Sequence, residues 1–316
     1  MSRIYIPFNG IDASGLGYGR TRSCPSYGAG YAAYMFGSAL TDTPTKNLFT
    51  DIIDGRLVGS PDTIGLAGGP MSTSFAGAIT GGNLLTVTGA VSGDPLAVGM
   101  TVELATAVGG TQGVIASLGT GTGGAGTYNL VPGATNSAGT MRAYTRFFET
   151  AGLSRDIFNI GSAITLVAIY QSPVNQGLIS DDITGGSMAM LVTGAGEIQT
   201  FGRDAAAAVV NVSTSSGYIN GSTTWSMGVS QFSLTSGQGF IQRSGPARVA
   251  SAAAGARTAN PVGSTTKKLR THYYNNATPA ARVALMAIYT KLLSGAEMDD
   301  FFAYSRDLLT DAGQTL

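Results

Sequence analysis

The sequence has 316 residues, of which 43% are apolar and only 11% are charged, and its 18 basic residues balance its 18 acidic ones. Globular proteins carry about 25% charged residues, so this chain is poor in charge but rich enough in apolar residues to build a core. The composition therefore excludes a disordered polymer, and it excludes collagen, which needs glycine at every third position. One large all-β domain and two smaller domains are both compatible with this length.

The sequence predicts neither an export signal nor a membrane span. Its first ten residues contain no continuous apolar run, and no window reaches the roughly 18 consecutive apolar residues that cross a bilayer. Cys24 is the only cysteine, which excludes an intramolecular disulfide bond and a thiolate metal cluster. We therefore expect a soluble protein.

Residues 1–41 combine aromatic side chains with glycines and show no regular hydrophobic period. The tyrosines and phenylalanines here are Tyr5, Phe8, Tyr18, Tyr27, Tyr31, Tyr34 and Phe36. Large rings on a glycine-rich chain bury area without forming a regular element of their own, which predicts an arm that lies on another surface. That surface is either the rest of this chain or a neighbouring subunit, in which case the arm is an assembly contact.

Residues 73–142 predict a small β domain with short strands. The segment is rich in Gly, Thr, Ala and Val, with Gly-rich or Asp-Pro turns between the strands. The predicted strands are Phe75–Ile79, Leu84–Thr88, Met100–Leu104, Gly113–Leu118, Thr127–Val131 and Thr140–Tyr144. Such spacing is typical of a small barrel or sandwich.

The run Gly119–Gly124 matches the G-x-G-x-x-G pattern of dinucleotide-binding loops. Such a site needs a strand before the loop and a helix after it, so that the helix N-terminus faces the pyrophosphate. Here the strand-like stretch Thr127–Val131 follows instead. We therefore interpret the match as accidental.

Beyond Arg142 the pattern predicts longer strands and then one helix. The strands are Ala163–Tyr170, Ser187–Val192, Glu197–Phe201, Thr224–Phe232, Gly239–Arg243, Leu269–Tyr274 and Arg282–Tyr289. The first and last of these are apolar at consecutive positions, which predicts burial of both strand faces. Ser294 and Glu297 form a capping-box pattern at the start of the helix, whose apolar side includes Met298, Phe301 and Phe302.

The segment Arg282–Leu309 resembles the C-terminal part of concanavalin-A-like (laminin-G-like) jelly-roll domains. There a last core strand ending in Ile-Tyr is followed by a Leu-Ser turn and a capped helix that carries Ala-Glu. Phe147–Thr150 and Asn47–Ile53 are similar to early strands of the same fold, and Val58–Pro61 is similar to its first turn. The resemblance implies an all-β jelly-roll sandwich with one short C-terminal helix.

Residues 73–142 then form an insertion, which leaves a discontinuous jelly roll made by residues 42–72 and 143–316. The insertion is similar to a Gly/Thr-rich β module of tailed-phage virion proteins. The residues that carry this similarity are Phe75–Gly77, Leu85–Val87, Leu96–Gly99 and Gly119–Tyr128. The resemblance implies a virion protein with an inserted small β-barrel or sandwich.

The sequence offers no recognisable catalytic set. Jelly-roll glycanases pair carboxylates on one strand, so that one is the acid and the other the nucleophile about 5 Å away. The glutamates Glu103, Glu149, Glu197 and Glu297 are far apart in sequence, His272 is the only histidine, and the Gly-x-Ser-x-Gly elbow is absent. We therefore expect no enzyme activity and no cofactor.

Asp181 and Asp182 are weak candidate calcium ligands, because calcium takes 6–8 oxygen ligands and these two carboxylates precede Ile-Thr-Gly-Gly. An Asp-initiated turn with a glycine at positive φ explains the same residues, and we favour it. No metal site is therefore expected.

Charge is distributed unevenly along the chain. Residues 205–296 carry eight bases and no acid, whereas residues 149–204 and the tail from 297 are both acidic. The bases Arg243, Arg248, Lys267, Lys268 and Arg270 suggest a loop surface that binds a polyanion. The alternative, which we favour, is that they pair with the flanking acidic segments. No basic-aromatic motif of a nucleic-acid module is present, so no nucleic-acid partner is expected.

Three aromatic residues are candidate glycan contacts: Trp225, Tyr273 and Tyr274. Glycan recognition needs exposed rings beside hydrogen-bonding side chains. Trp225 is the only tryptophan, and its apolar context favours a place in a strand core instead.

Three functions follow. The leading one is a non-enzymatic structural protein of a tailed-phage virion, assembled in the host cytoplasm, that acts as a collar, tail or decoration subunit. Its partners would be further copies of itself and other virion proteins. The second is a receptor-binding adhesin whose jelly roll binds a host surface glycan. The third, a glycan hydrolase, rests on fold analogy alone.

Overall fold

The described residues form 21 β-strands, and one α-helix follows the last strand. The structure is a computed structural model. It describes residues 24–36, 40–41, 44–49, 55–58, 65–67, 73–93, 95–104, 111–131, 136–144, 147–150, 152–159, 162–171, 176–180, 188–192, 197–203, 209–213, 224–233, 236–243, 247–253, 255, 258–260, 266–271 and 282–316.

The strands fall into three groups along the chain. Before the insertion come β1 (Gly30–Met35), β2 (Gly55–Val58) and β3 (Leu66–Ala67). The insertion contains β4 (Thr73–Thr80), β5 (Leu84–Val87), β6 (Thr101–Leu104), β7 (Thr111–Leu118), β8 (Gly126–Val131) and β9 (Asn136–Tyr144). After it come β10 (Phe147–Thr150), β11 (Leu153–Ser154), a 3-10 helix (Arg155–Phe158), β12 (Ile164–Gln171), β13 (Gln176–Ser180), β14 (Met188–Val192), β15 (Ile198–Arg203), β16 (Val209–Ser213), β17 (Ser226–Phe232), β18 (Gly237–Gln242), β19 (Arg248–Ala250), β20 (Thr266–Lys267), β21 (Arg282–Tyr289) and α1 (Gly295–Asp311).

The main sheet of the sandwich has the antiparallel order β1-β21-β12-β17-β18-β19, and β3 also pairs with β21. One face packs on the second sheet through side chains such as Leu166 and Ile288. The opposite face is covered by α1 through Phe301 and Leu309. Because both faces are covered, β12 and β21 are apolar at consecutive positions, as their sequences predicted.

The second sheet is completed by a short segment around Arg270. Strands β13-β14-β15-β16 form one part, and β10 pairs with β2 in another. Arg270 makes an antiparallel bridge to Glu149 of β10 and another to Ser180 of β13. Residues 268–271 therefore join the two parts into one layer opposite the main sheet.

The insertion closes into a six-stranded barrel of order β4-β5-β8-β7-β6-β9. Its own core contains Phe75, Leu85, Ile115 and Leu130, separate from the core of the sandwich. The last strand ends at Tyr144, as the sequence predicted, and its Ala143 and Tyr144 pair with Val102 and Thr101 of β6.

The predicted all-β sandwich with an inserted barrel and a C-terminal helix is confirmed. The capping box is also present, since Ser294 Oγ accepts the N–H of Glu297 at 3.3 Å and Glu297 Oε2 accepts the N–H of Ser294 at 2.9 Å. Of the helices described, none combines the length and the apolar character that crossing a bilayer requires.

Two local predictions for the residues before the insertion were wrong, and the described residues 269–271 of the predicted strand Leu269–Tyr274 form only isolated bridges at Arg270. In the predicted strand Asn47–Ile53, Asn47 has no regular structure, residues 48–49 form a bend, and residues 50–53 lie outside the described part of the chain. The stretch Gly30–Met35 was assigned to an arm without regular structure, but it is strand β1 of the main sheet. Its partner β21 is about 250 residues away in sequence, so no local period marks it.

Candidate functional site

Four charged side chains meet where the barrel contacts the sandwich. We call Glu103, Glu149, Lys268 and Arg270 the junction cluster. Three of them, Glu103, Glu149 and Arg270, are buried. The direction of each of these side chains follows from the alternation of successive side chains between the two faces of a strand. Val102 lies in the barrel core, so Glu103 points out of the barrel. Phe148 and Leu269 lie in the sandwich core, so Glu149 and Arg270 point to the outer face of the second sheet.

The guanidinium of Arg270 binds both carboxylates. Its Nη1 and Nη2 donate to the two oxygens of Glu103, each at 2.6 Å. Its Nε donates to Glu149 Oε2 at 2.8 Å, and Nη2 contacts the same oxygen. The second oxygen of Glu149 accepts Lys268 Nζ at 3.0 Å. All four carboxylate oxygens therefore have a donor.

The cluster is closed to solvent except at Lys268. The side chains of Arg270 and Glu103 are each 1% exposed, whereas that of Lys268 is 42% exposed. The guanidinium carbon also lies 5.8 Å from the ring centre of Tyr144. Burial alone lowers the pKa of Arg270, but its hydrogen bonds and charge contacts with Glu103 and Glu149 raise that pKa above its ordinary value. The arginine therefore stays charged.

This geometry bears on acid–base chemistry. The two carboxylates bind the same nitrogen, so their oxygens lie within roughly 6 Å of each other, close to the spacing of a retaining glycosidase. A glycosidase needs a carboxyl group that reaches the sugar. Here the arginine lies between the two carboxylates and every oxygen is engaged, so the arrangement is that of a structural ion cluster.

The glycine-rich run of the barrel is a structural loop. It lies between β7 and β8, so strands and not a helix flank it. The hydroxyl of Tyr128 donates to the Gly124 carbonyl at 2.6 Å and accepts the N–H of Gly123 at 3.0 Å. A Cβ at Gly121 would overlap the Tyr128 ring. The glycines therefore let the loop fold over this phenol, and no phosphate cradle is needed to explain them.

The predicted basic surface is largely paired with acids. Arg248 Nη1 lies 2.5 Å from Asp299 Oδ1 at the start of α1, and Lys268 and Arg270 belong to the junction cluster. Arg243 Nε donates to Ser226 Oγ at 2.7 Å. The alternative that these bases pair with flanking acidic segments thus accounts for three of the candidates.

The aromatic candidates divide in two. Trp225 lies one residue before β17, is 2% exposed in the core beneath α1 and donates to Gln314 Oε1 at 3.3 Å, so its ring does not have the exposure that a glycan contact needs. Tyr273 and Tyr274, His272 and the calcium candidates Asp181 and Asp182 lie outside the described residues. Lys267 is described only by its backbone, in β20. Among the described side chains, no three His, Cys, Asp or Glu residues are grouped to hold a metal ion.

The N-terminal aromatics that are described contact their own chain. Tyr27 donates to Asp300 and to the carbonyl of Glu297, both at 2.9 Å, and Tyr31 accepts the N–H of Ser154 at 3.1 Å. Tyr34 and Phe36 pack against Phe148 with tilted rings, whose centres lie 4.5 and 4.9 Å from that of Phe148. Tyr5, Phe8 and Tyr18 lie outside the described residues.

Sequence reasoning missed the junction cluster because its members are up to 167 residues apart. A signal was present, however. Glu103 and Glu149 are single acids within apolar strand patterns, and a charge buried in this way needs a partner. Only the fold shows that both find it in Arg270.

No family model matches the sequence, and no curated protein matches it either. Among solved structures, the chain is similar to the receptor-binding domain of botulinum neurotoxin D, with a TM-score of 0.41, 9% identity, and coverage of 88% of this chain and 53% of that one. It is also similar to the binding domain of Paraclostridial Mosquitocidal Protein 1, with a TM-score of 0.41, 8% identity, and coverage of 74% and 52%. A third similar structure is the receptor-binding domain of the botulinum neurotoxin C/D mosaic serotype, with a TM-score of 0.39 and 10% identity. The match covers 50% of this chain and 40% of that one. The matched part is thus about half the length of these domains or less, and overlaps of this size establish neither a family nor a function.

Proposed function

We propose that the protein is a non-enzymatic structural subunit of a tailed-phage virion, in the collar, tail or decoration layer, that acts through protein–protein assembly. The observation that carries this proposal is the junction cluster. The carboxylates that meet there are sealed and fully bonded, and they join two domains. A cluster of this kind supports a rigid building unit over a catalyst.

The barrel surface is consistent with this role. Between Thr73 and Tyr144 the charged residues are Asp94, Glu103 and Arg142, and Glu103 is buried in the junction cluster. A surface with so little charge pays a small desolvation cost when it packs against another protein. The resemblance of this insertion to a phage virion module points to other virion proteins as its partners.

Fewer aromatic residues of the N-terminal arm are candidates for contacts with another subunit than the sequence suggests. Tyr27, Tyr31, Tyr34 and Phe36 are engaged within the chain, which leaves Tyr5, Phe8 and Tyr18 as the aromatic candidates for contacts with further copies. Such contacts would give a homo-oligomer. Mass measurement in solution tests this, and a variant with alanine at all three positions would then have the mass of a monomer.

The deciding experiment is to label purified phage particles with gold-tagged antibody against residues 143–316. Gold at the head or neck would support a decoration or collar subunit. Gold at the tail tip would support a tail subunit and strengthen the receptor-binding alternative. Particles without gold, with the antibody still binding the purified protein, would contradict the proposal.

The second candidate function is a glycan-binding adhesin. Thr271, two residues before Tyr273 in the sequence, is held in the second sheet, because its N–H donates to the Phe148 carbonyl at 3.0 Å. The double variant Y273A/Y274A should then lose binding to host cells while its circular dichroism stays unchanged. The exposed barrel residue Leu118 gives a control, since L118A should bind as the unmodified protein does.

The hydrolase alternative has a direct test at Glu149. If Glu149 were catalytic, E149Q would abolish the release of reducing sugar from host polysaccharide. We expect no release from the unmodified protein across a broad panel of polysaccharides. Release that disappears in E149Q while the fold is retained would overturn the non-enzymatic proposal.

A further inference from the structure

We propose that Arg270 is an interdomain latch, which holds the inserted barrel against the outer face of the second sheet in one orientation. The inference concerns how the two domains are coupled, and it does not depend on the proposed function. It rests on the junction cluster and on the backbone that carries Arg270.

The base of the latch is fixed in the second sheet. The N–H of Arg270 donates to the Ser180 carbonyl at 2.8 Å, and the N–H of Ser180 donates back to the Arg270 carbonyl at 2.9 Å. On the other side, the N–H of Leu269 donates to Thr150 Oγ1 at 3.0 Å. The Cα of Arg270 is therefore held by strands on both sides.

The guanidinium carries this fixed position to the barrel. It binds both oxygens of Glu103 in a two-pronged arrangement, which fixes direction as well as distance, because the donors are planar and the two bonds are parallel. Its remaining edge binds Glu149 of the second sheet. A single side chain thus spans the domain boundary.

The surroundings of the latch favour one arrangement. Thr101 and Tyr144 are neighbours on the barrel, both are buried, and the Tyr144 ring lies beside the guanidinium. Lys268 balances the second negative charge of the cluster. A buried ion cluster contributes less to net stability than to the choice of one arrangement, because any other orientation of the barrel would leave a buried charge unpaired.

The covalent connections between the domains are the alternative explanation. The barrel joins the sandwich through residues 68–72 and 145–146. If these connections alone set the orientation, removing the ion cluster would leave the orientation unchanged. The latch proposal predicts a change.

The test measures the distance between two spin labels by pulsed electron paramagnetic resonance. One label is attached to the barrel at A116C and the other to α1 at A296C. Both positions are exposed, and Cys24 is buried. The full chain with these labels is compared with the same chain carrying E103Q or E103Q/R270M. R248Q is the matched control, since it removes an exposed arginine–carboxylate pair.

We expect one narrow distance distribution in the unmodified chain and in R248Q. In E103Q/R270M its width should increase about twofold or more, because relative motion is the default for domains without a strong interface. This double variant leaves Glu149 paired with Lys268, so it remains informative if E103Q alone fails to fold. An unchanged width in E103Q/R270M would overturn the proposal. Loss of the β-sheet signal in the circular dichroism spectrum of that variant would also overturn the proposal, because Arg270 would then be needed for folding and not for orientation.

Discussion

The side-chain oxygen of Asn47 accepts the backbone N–H of Ala33 at 3.0 Å, at the outer edge of the main sheet. The same oxygen accepts the N–H of Phe49 at 3.0 Å, and the N–H of Leu48 donates to the Ala33 carbonyl at 2.8 Å. These groups supply bonds that a neighbouring strand would otherwise give to β1. The segment thus protects a sheet edge that would otherwise be available for pairing with another chain.

The first prediction concerns this protected edge. N47A should lower the free energy of unfolding by about 1–3 kcal/mol, because buried backbone donors lose their acceptor. Denaturant unfolding measures the change. N129A is the control, since Asn129 donates to Ser117 on the exposed barrel surface at 2.8 Å, and its loss should cost no more than about 0.5 kcal/mol. Equal effects of the two substitutions would contradict the prediction.

The second prediction concerns the glycine-rich loop of the barrel. G121A should destabilise the protein by about 1–3 kcal/mol, because the added methyl group overlaps the Tyr128 ring. G89A is the matched control, since a Cβ at Gly89 meets no atom within 4 Å. Thermal unfolding of both variants decides the matter. If G121A were as stable as G89A, the loop would be able to accommodate the added methyl group beside Tyr128, and the prediction would be wrong.

The sequence predicted the parts of this fold that local patterns determine. Strands β12 and β21 are consecutive apolar runs because sheet and helix cover both faces, and the Ser294–Glu297 cap needs four adjacent residues. The barrel strands were found because turn residues separate them. Strand β1 was missed because it forms by pairing with β21, which lies about 250 residues further along the chain. Such pairing has no local signature.

The candidate site was predictable only in its ingredients. Glu103 and Glu149 are single acids in apolar strands, and Arg270 lies in a basic stretch. That Arg270 faces both of them depends on alternation in three strands and on the docking of the barrel. The interpretation of the bases as partners of acids was correct for Arg248, Lys268 and Arg270, but which acids they meet followed only from the fold.

The third prediction compares a buried ion pair with an exposed one. E149Q should lower the free energy of unfolding by about 3–5 kcal/mol, because it leaves part of the charge of Arg270 buried without its counter-charge. R248Q removes the exposed pair with Asp299 and should cost about 0–1 kcal/mol. Urea unfolding gives both values. Similar losses in the two variants would mean that water reaches the junction cluster.

The fourth prediction concerns pH at the start of α1. The hydrogen bond from Lys291 and the bonds with Ser294 lower the pKa of Glu297 below its ordinary value of 4.5. A lowered folded-state pKa gives stability that is present above the unfolded pKa and is lost as pH falls through the folded one. Because solvent screens this partly exposed carboxylate, E297Q should cost only about 0.3–1 kcal/mol at pH 7, and progressively less below pH 4.5. A difference that is constant from pH 7 to pH 3 would show that the charge of Glu297 adds nothing to the cap.

The fifth prediction concerns the reactivity of Cys24. Burial raises the pKa of its thiol to about 12, against an ordinary value of 9.0, and hydrogen bonds with Tyr289 and Tyr304 offset only part of this effect. Alkylation requires the thiolate, and with this pKa only about one thiol in ten thousand is ionised at pH 8. The native protein should therefore take up no iodoacetamide at pH 8 over the time in which A296C is fully alkylated at its added cysteine. In denaturant, Cys24 should react completely, as mass spectrometry would record. Rapid alkylation of Cys24 in the native protein would mean that the segment 24–28, which Tyr27 and Tyr289 hold between β21 and α1, opens readily.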